Sequence, residues 1–404
     1  MTFPRLYISL LAIVISSVCL SMAQRTTKHV HKPWSERIAQ SFLHMHPDSI
    51  NYSNEAKSRK WNYEQGLMLD AMYHMWQQSG DSQYVRYIRR NLDYYIQPDG
   101  VIRTYNFDEF QLDNIASGKA VLHMYELTHN VNYRRASDIL RQQLALQPRT
   151  GDGGFWHKKI YPNQMWLDGL YMAEPFYTFY SAMFHDSSGF DDVARQFILI
   201  AHHCYDEKTG LYFHGWDESC QERWANQKSG CSPSLWGRSL GWFAMALVDV
   251  LEYFPQDHPM RSELVKILNS FALNMLQQRD EKTKLWYQVV NRPDEKGNYL
   301  EASVSAMVTY AFAKGANRGY LPGEFRIRAE ETFKGILDHL IFFDTSGFVH
   351  LEHVCSVGGL GGNPYRDGSI EYYLSEPQRT DDFKGLGPFL LAVIELEKPK
   401  ISDK

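Results

Sequence analysis

Two aspartates in separate stretches of the chain have the chemistry of an acid–base pair. Asp113 lies in Q-L-D-N-I-A-S-G and Asp168 lies in M-W-L-D-G-L-Y-M-A-E-P-F. When two carboxyl groups approach closely, one can keep its proton and donate it while the other stays ionised. Each position also suits a helix N-cap, a structural role that aspartate often fills. The sequence therefore leaves two hypotheses for these residues, an acid–base pair and a pair of caps.

Aromatic and charged residues near these aspartates add candidate ligand contacts. Trp166 lies two residues before Asp168 and is either a platform for a sugar ring or part of the core. His214, in the aromatic loop Y-F-H-G-W-D, is either a ligand contact or a surface histidine. Arg238 and Trp242 are four residues apart in L-W-G-R-S-L-G-W, so they share a helix face. Arg238 would either bind a substrate carboxylate through its guanidinium or form a buried ion pair.

The elements that must position these residues are predicted to be helices. Apolar residues recur at steps of three and four, most clearly at Trp236, Leu240, Phe243, Leu247, Val250 and Phe254. First members of helical pairs are predicted near Trp61, Asp113, Trp166, Ser234, Glu301 and Asp381. Second members are predicted near Asp81, Asn132, Gly189, Met260 and Gly323, with 35–45 available to complete the last pair. Short strands are predicted only at 286–290 and 347–351.

Six antiparallel pairs closed on themselves predict an all-α fold, an (α/α)6 barrel. Closure lets residues 24–404 form a single catalytic domain, because each pair buries its apolar face on its neighbours. An open helical solenoid is the alternative, but the repeats are uneven and their ends lack polar caps. In a closed ring the first members point the same way, so their N-termini gather at one mouth. Long glycine- and aromatic-rich connections at 151–164, 213–233 and 358–377 precede them, which predicts a site at that mouth.

Composition and the N-terminus limit the partners and the compartment. The net charge of -5 gives no basic surface for nucleic acid. Arg5, an apolar run over 6–18 and Ser21-Met22-Ala23 predict a signal peptide over residues 1–23 and an exported protein, periplasmic or secreted. The run is too short to span a bilayer comfortably, so no stable membrane insertion is expected after cleavage. The sequence does not indicate the oligomeric state.

Cysteines and metal motifs add little chemistry. Cys220 and Cys231 bracket one polar loop. A disulfide between them and four free thiols in the mature chain are equally supported hypotheses. The chain has no H-E-x-x-H motif and no EF-hand loop, so no metal site is predicted. Residues 358–362 are G-G-L-G-G but lack the G-K-[ST] ending of a phosphate loop, which favours a loop that closely approaches a ligand at the mouth.

Three motifs resemble one enzyme family. W-L-D-G-L-Y-M-A-E-P-F, L-W-G-R-S-L-G-W and G-L-G-G-N-P-Y-R-D-G-S-I-E-Y-Y are similar to the unsaturated rhamnogalacturonyl hydrolases, glycoside hydrolase family 105. The family 88 unsaturated glucuronyl hydrolases are more distant. The resemblance runs from about Trp61 to Glu397 and implies the (α/α)6 barrel, no cofactor and an unsaturated oligosaccharide as substrate.

The resemblance also implies roles for individual residues. Asp168 falls on the family's general acid/base and Asp113 on its second carboxylate. The substrate-binding residues would be His214, Arg238, Trp166, Trp242, His157, Lys158 and Tyr63.

The implied reaction is the hydration of a vinyl ether. An acid protonates C-4 of a 4,5-unsaturated uronic acid, water attacks C-5, and the resulting hemiketal opens and releases the remaining sugar. The first alternative substrate is an unsaturated glucuronyl end, as on ulvan or arabinogalactan fragments. An ordinary glycosidase acting at C-1, a polysaccharide lyase and a non-catalytic sugar-binding protein on the same barrel also remain open.

Overall fold

The computed structural model describes residues 32–52 and 59–400. The predicted signal peptide over residues 1–23 lies outside the described residues. Within the described part the helices are α1 Trp34–Met45, α2 Tyr63–Ser79, α3 Ser82–Tyr95, α4 Gly118–Thr128, α5 Val131–Leu146, α6 Leu167–Phe184, α7 Ser187–His203, α8 Gly237–Tyr253, α9 Arg261–Gln277, α10 Ala302–Asn317, α11 Glu324–His339, α12 Ile370–Ser375 and α13 Phe383–Glu397.

Helical pairs close into a ring. The inner helices α2, α4, α6, α8, α10 and α13 pack side by side in that order, and α13 packs back against α2. Each has an outer partner: α3, α5, α7, α9, α11 and, for α13, the N-terminal α1. The contact between the last and first inner helices excludes the open solenoid and confirms the (α/α)6 barrel.

Inner and outer helices differ in how much of their surface is buried. In α6 every residue from Leu167 to Ser181 is buried, because the helix packs on two inner neighbours and on the outer ring. The outer helix α3 instead buries one stripe, formed by Tyr84, Tyr87, Ile88, Asn91, Leu92 and Tyr95. Steps of three and four residues along that stripe keep its polar face in solvent.

Helix caps are supplied by residues other than the two aspartates. Asn62 and Gln65 form a capping box at α2, and the Glu301 side chain accepts from Val304 N at α10. The residue preceding α6 is Trp166, so Asp168 is already inside the helix. Asp113 lies in a short 3-10 turn, Leu112–Asn114, ahead of α4. The cap hypothesis is therefore wrong for both aspartates.

Short antiparallel strands fasten the connections at the mouth. They are β1 Gln164–Trp166, β2 Tyr205–Asp206, β3 Leu211–Tyr212, β4 Gly215–Asp217, β5 Ile341–Phe343, β6 Val349–Leu351, β7 Val354–Cys355 and β8 Gln378–Arg379. β1 pairs with β4 with Trp166 opposite Gly215, and Leu167 N donates to His214 O at 2.9 Å. This pairing brings His214 to the first turn of α6.

The two strand predictions have different outcomes. The predicted strand at 347–351 is present as β6, which pairs with β5. The stretch 286–290 forms only isolated bridges, Trp236 with Val289 and Tyr287 with Leu300, so it is not a strand.

Two further features concern the cysteines and the membrane. All four described cysteines, among them Cys220 and Cys231, are free thiols, so the structure does not form the hypothesised disulfide.

Across residues 32–52 and 59–400, no helix combines the length and the apolar character that a bilayer crossing requires.

Candidate active site

A pocket opens where the inner helices begin, and its cavity volume is about 240 Å³. Tyr63 is the first residue of α2, and Asp168, Arg238 and Lys384 are each the second residue of an inner helix. The pocket is lined by Tyr63, Asp113, His157, Lys158, Trp166, Asp168, Met172, Trp236, Arg238, Trp242, Val357, Gly358, Arg366 and Lys384. Eight of the nine site residues predicted from the sequence thus lie together, and the ninth, His214, lies behind Asp168.

Among the described residues, Asp168 has one close side-chain partner, the imidazole of His214. The His214 Nε2 atom lies 2.9 Å from Asp168 Oδ2, and the His214 side chain is 0% exposed. Its other ring nitrogen, Nδ1, is 2.6 Å from the hydroxyl oxygen of Tyr373. His214 is therefore not among the residues that line the pocket, and its predicted contact with substrate stays a prediction. His214 acts on the carboxyl group of Asp168, which itself lines the pocket.

Asp113 lies in a strongly cationic setting. Its Oδ2 is 2.6 Å from Lys158 Nζ, and its Oδ1 is 3.3 Å from His157 Nε2. Burial raises the pKa of the Asp113 carboxyl, but Lys158 and His157 outweigh burial and hold that pKa below its usual range. Burial lowers the pKa of His157 despite the nearby carboxylate. Asp113 is thus held as an anion and does not carry a proton to donate.

The two tryptophans predicted to stack on sugar have little free surface. Trp166 is 5% exposed, and His157 and Tyr161 stack on its ring with centroids 4.4 Å and 5.0 Å away. Trp242 is 1% exposed and stacks on Tyr171 at 4.5 Å. Both rings line the pocket with little exposed surface, so neither is an open platform.

Arg238 combines the two roles that the sequence left open. Its Nη2 is 3.3 Å from Glu301 Oε1 and donates to the carbonyl oxygen of Cys355, while Nε donates to Ser303 Oγ at 2.9 Å. The guanidinium therefore forms a buried ion pair with Glu301 and also borders the pocket. These anchors fix its orientation, which prepares it for a ligand at little entropic cost.

Six lining residues were not predicted: Met172, Trp236, Val357, Gly358, Arg366 and Lys384. Arg366 lies inside the third motif, and Gly358 begins the glycine-rich loop that was expected at the mouth. Lys384 follows a regularity that appears only once the helix starts are observed. Asp168 and Arg238 are second residues of inner helices, and Lys384 holds the same place in α13.

The pocket's cations differ in how they are neutralised. Lys158 pairs with Asp113, Arg238 with Glu301, and Lys384 with both Glu64 and Asp382. Arg366 instead donates to Gly361 O, Leu360 O and the Tyr161 hydroxyl. Among the described residues no carboxylate pairs with Arg366, so its charge is free to meet an anionic ligand.

The structure places two carboxyl groups in a pocket at the mouth of an (α/α)6 barrel. The sequence profile of Glycosyl Hydrolase Family 88 matches residues 34–400. The solved structure of a family 105 glycoside hydrolase from C. acetobutylicum ATCC 824 is similar over 91% of this chain and 99% of that chain, with 41% identity and a TM-score of 0.87. The chain therefore belongs to Glycosyl Hydrolase Family 88 and is related to family 105.

Two curated relatives match shorter stretches. Protein Atu3128 of Agrobacterium fabrum is 40% identical over 212 residues, which is 51% of this chain and 89% of that protein. Unsaturated rhamnogalacturonyl hydrolase YesR of Bacillus subtilis is 25% identical over 257 residues, 62% of this chain and 70% of that protein. The family match and the similarity to the family 105 structure identify this chain as a carbohydrate-degrading hydrolase of the unsaturated glycosyl hydrolase group.

Proposed function

We propose that the enzyme removes a 4,5-unsaturated uronic acid from the non-reducing end of an oligosaccharide by hydrating its double bond. The observation that carries the proposal is the unlike setting of the two carboxyl groups. Asp113 is held ionised by Lys158 at 2.6 Å and His157 at 3.3 Å. Of the residues that the structure describes, a histidine alone pairs with Asp168, at 2.9 Å. One group is thus a fixed anion, and the other is suited to exchange protons.

The proposed reaction begins with the proton of Asp168. The carboxylic acid protonates C-4, and positive charge develops at C-5 and the ring oxygen. Water then attacks C-5 and returns a proton to the Asp168 carboxylate. The C-5 hemiketal opens to a ketone, and the hemiacetal at C-1 collapses to an aldehyde and releases the remaining sugar. The fixed negative charge of Asp113 stabilises the cationic stage.

The pocket's free cation gives this scheme a means of recognising the uronate. We assign the substrate carboxylate to Arg366, helped by the pocket-facing side of Arg238. Arg366 is held by two backbone carbonyl groups and the Tyr161 hydroxyl, at 2.8 to 3.1 Å. A Cβ atom on Gly359 would lie 2.3 Å from its Nη1, so the glycine permits this placement. A planar guanidinium held this way matches a carboxylate well.

The proposed source of the substrate is rhamnogalacturonan, the pectin polysaccharide, after lyase cleavage. Support comes from the three motifs and from the relative named as an unsaturated rhamnogalacturonyl hydrolase. An unsaturated glucuronyl end, as on ulvan or arabinogalactan fragments, is the alternative substrate. We also propose that the chain is exported after removal of residues 1–23. A mature protein that begins at Gln24, seen by mass spectrometry, would support export.

The reaction is tested by following the double bond and the solvent hydrogen. Ultraviolet absorbance of the conjugated double bond falls if the bond is hydrated, rises if the protein is a lyase, and stays flat for an ordinary glycosidase or a sugar-binding protein. In deuterated water, hydration places a deuteron at C-4 of the released uronate. Cleavage without that deuteron would reject the proposal.

Specificity is tested separately, with a panel of lyase-digested polysaccharides that includes rhamnogalacturonan, ulvan and arabinogalactan. Preference for rhamnogalacturonan fragments supports the galacturonyl assignment. Preference for a glucuronyl end would retain the mechanism and overturn the assigned substrate.

A further inference from the structure

Tyr373 is a buried group that lies one side chain away from Asp168. It belongs to α12, the short helix Ile370–Ser375, and its side chain is 0% exposed. Its hydroxyl oxygen is 2.6 Å from Nδ1 of His214, whose Nε2 is 2.9 Å from Asp168 Oδ2. The three side chains form a continuous line from the barrel wall to the pocket.

We propose that Tyr373 is a positioning residue that sets the tautomer of His214 and thereby decides which oxygen of Asp168 carries the catalytic proton. This inference rests on the proposed function of Asp168 as the acid.

The direction of each hydrogen bond follows from what each atom can do. Burial raises the pKa of the Tyr373 hydroxyl well above its usual value, so the hydroxyl keeps its proton and can donate it to Nδ1. A neutral imidazole that accepts at Nδ1 carries its hydrogen on Nε2. That hydrogen then lies on the ring atom 2.9 Å from Asp168 Oδ2, which leaves Oδ1 to carry the acidic proton and face the substrate.

The opposite tautomer would misdirect the proton. With hydrogen on Nδ1, the lone pair of Nε2 faces Asp168 Oδ2 and draws the carboxyl proton between the two residues. The acid would then point at the histidine instead of at C-4. His214 Nε2 and Asp168 Oδ2 are both buried, lie 2.9 Å apart and make no hydrogen bond with any described residue. The hydrogen bond to Tyr373 is the ring's one anchor among those residues, so the choice of tautomer falls to Tyr373.

The surroundings of Tyr373 hold its ring in one place. Trp236, a pocket residue, stacks on it with a centroid distance of 5.3 Å and an interplanar angle of 13°. Gln288 donates to the backbone oxygen of Tyr373 at 3.1 Å and accepts from Trp236 Nε1 at 3.2 Å. The side-chain amide of Gln288 thus links Tyr373 to Trp236 in the pocket wall. A positioning residue must be held in place in this way.

The test is Tyr373→Phe in the full-length protein, with Tyr87→Phe as the matched control. Tyr87 is also buried, and its hydroxyl donates to His46 O at 2.9 Å, far along the outer helix α3. For Tyr373→Phe we expect kcat on an unsaturated oligosaccharide to fall by about tenfold, the usual effect of one lost hydrogen bond. The alkaline limb of the pH–rate profile should move to higher pH, because the flipped ring no longer donates to the carboxylate form.

The pH profile separates positioning from mere packing. A lower kcat with an unmoved alkaline limb would reduce Tyr373 to a structural residue, and unchanged kinetics would overturn the proposal outright. Tyr87→Phe should leave both quantities as in the wild type.

A measurement on the wild-type protein keeps the proposal testable if the variant does not fold. Nitrogen-15 spectra of labelled histidine, assigned with His214→Gln, report which ring nitrogen carries the hydrogen. We expect hydrogen on Nε2, and hydrogen on Nδ1 would overturn the proposal. If the protein does not act on unsaturated sugars at all, the proposed function fails while this tautomer result still stands.

Discussion

Removal of the proposed proton donor is the most direct test at the residue scale. Asp168→Asn keeps the shape of the side chain but cannot transfer a proton. We expect a folded protein whose kcat falls by about 10²- to 10⁴-fold, the usual contribution of general acid–base catalysis. The measurement is the loss of ultraviolet absorbance, with circular dichroism to confirm folding. Turnover close to that of the wild type would remove Asp168 from the mechanism.

The fixed charge of Asp113 gives a prediction about pH. Lys158→Met removes the cation 2.6 Å from the carboxylate, so burial is then opposed mainly by His157 and the pKa of Asp113 rises. The group is needed as an anion, so activity should be lost on the acidic side at a higher pH than in the wild type. The pH dependence of kcat/KM measures this shift.

Lys159→Met is the control for the loss of a lysine, because Lys159 is the exposed neighbour of Lys158. It should leave the acidic limb in place. Equal profiles for the two lysine variants would contradict the role given to the charge of Asp113.

Arg366 offers a test of carboxylate recognition. Arg366→Met should weaken kcat/KM for an unsaturated uronate by about 2–4 kcal/mol, the range for a lost charged partner. The loss should largely vanish on a methyl-esterified substrate, which has no negative charge to recognise. Arg223→Met, at an exposed arginine that stacks on Tyr365, is the matched control. An equal loss on the acid and the ester would show that Arg366 only supports its loop.

At the scale of elements, the glycine-rich loop packs closely against the ring of Trp236 at Gly358. A Cβ atom on Gly358 would lie 2.4 Å from Trp236 Cζ2, and both residues line the pocket. Gly358→Ala should therefore displace the loop or the ring, raise KM and destabilise the fold by about 1–3 kcal/mol. Gly323→Ala, where no atom lies within 4 Å of the added carbon, should change neither quantity. Substrate titration measures KM and thermal melts measure stability, and both are compared between the two variants.

The same scale shows what the sequence could predict. Helix starts near Asp81, Asn132 and Met260 were predicted within two residues of the observed starts, because caps and apolar spacing are local signals. The helical ring then follows from counting the pairs. Inner-helix starts that are far apart in sequence meet at the mouth of the barrel. The motifs predicted at those starts therefore contain most of the residues that line the pocket.

Contacts between distant segments could not be predicted this way. Nothing near Arg238 in the sequence indicates that Glu301 pairs with it, since the two meet only when α8 and α10 pack. The burial of His214 likewise depends on β1 pairing with β4 and on Tyr373, which is 159 residues away. Local patterns therefore predict which residues reach the mouth, while tertiary packing decides which of them touch the ligand.

At the scale of the whole molecule, a buried ion network joins the inner helices beneath the pocket. Lys119 on α4 lies 2.8 Å from Asp70 on α2 and 2.7 Å from Asp249 on α8. Lys314 on α10 is also 2.7 Å from Asp249. The network links four of the six inner helices, and Lys119 also lies over the ring of Tyr171, 5.8 Å from its centroid.

The same network explains a group that resembles a metal site. Ligand atoms of Asp70, His74 and His123 lie within 4.8 Å of one another. The ammonium of Lys119 already contacts Asp70 at 2.8 Å and would repel a divalent cation. We therefore interpret this group as part of the ion network.

Removal of Lys119 tests whether the network stabilises the barrel. Lys119→Met leaves the carboxylate of Asp70 buried without its cation, and breaking one side of such a pair costs about 3–5 kcal/mol. The pKa of Asp70 is held far below its usual value, because Lys119 and the two histidines outweigh its burial. A carboxyl group with a lowered pKa stabilises the fold above its unfolded pKa, and this stabilisation is lost only as pH falls through the folded pKa. The deficit of the variant should thus be full at neutral pH and shrink in acid, where the stranded carboxyl groups take up protons.

Urea unfolding at several pH values measures that deficit, and two further variants make the result specific. Lys266→Met removes an exposed lysine 3.2 Å from Glu263 and should change the free energy of unfolding by less than about 0.5 kcal/mol. Adding Asp70→Asn to Lys119→Met removes the stranded charge and should recover part of the lost stability. A double variant as unstable as the sum of Lys119→Met and Asp70→Asn measured singly would show that these two side chains do not stabilise the ring as a pair.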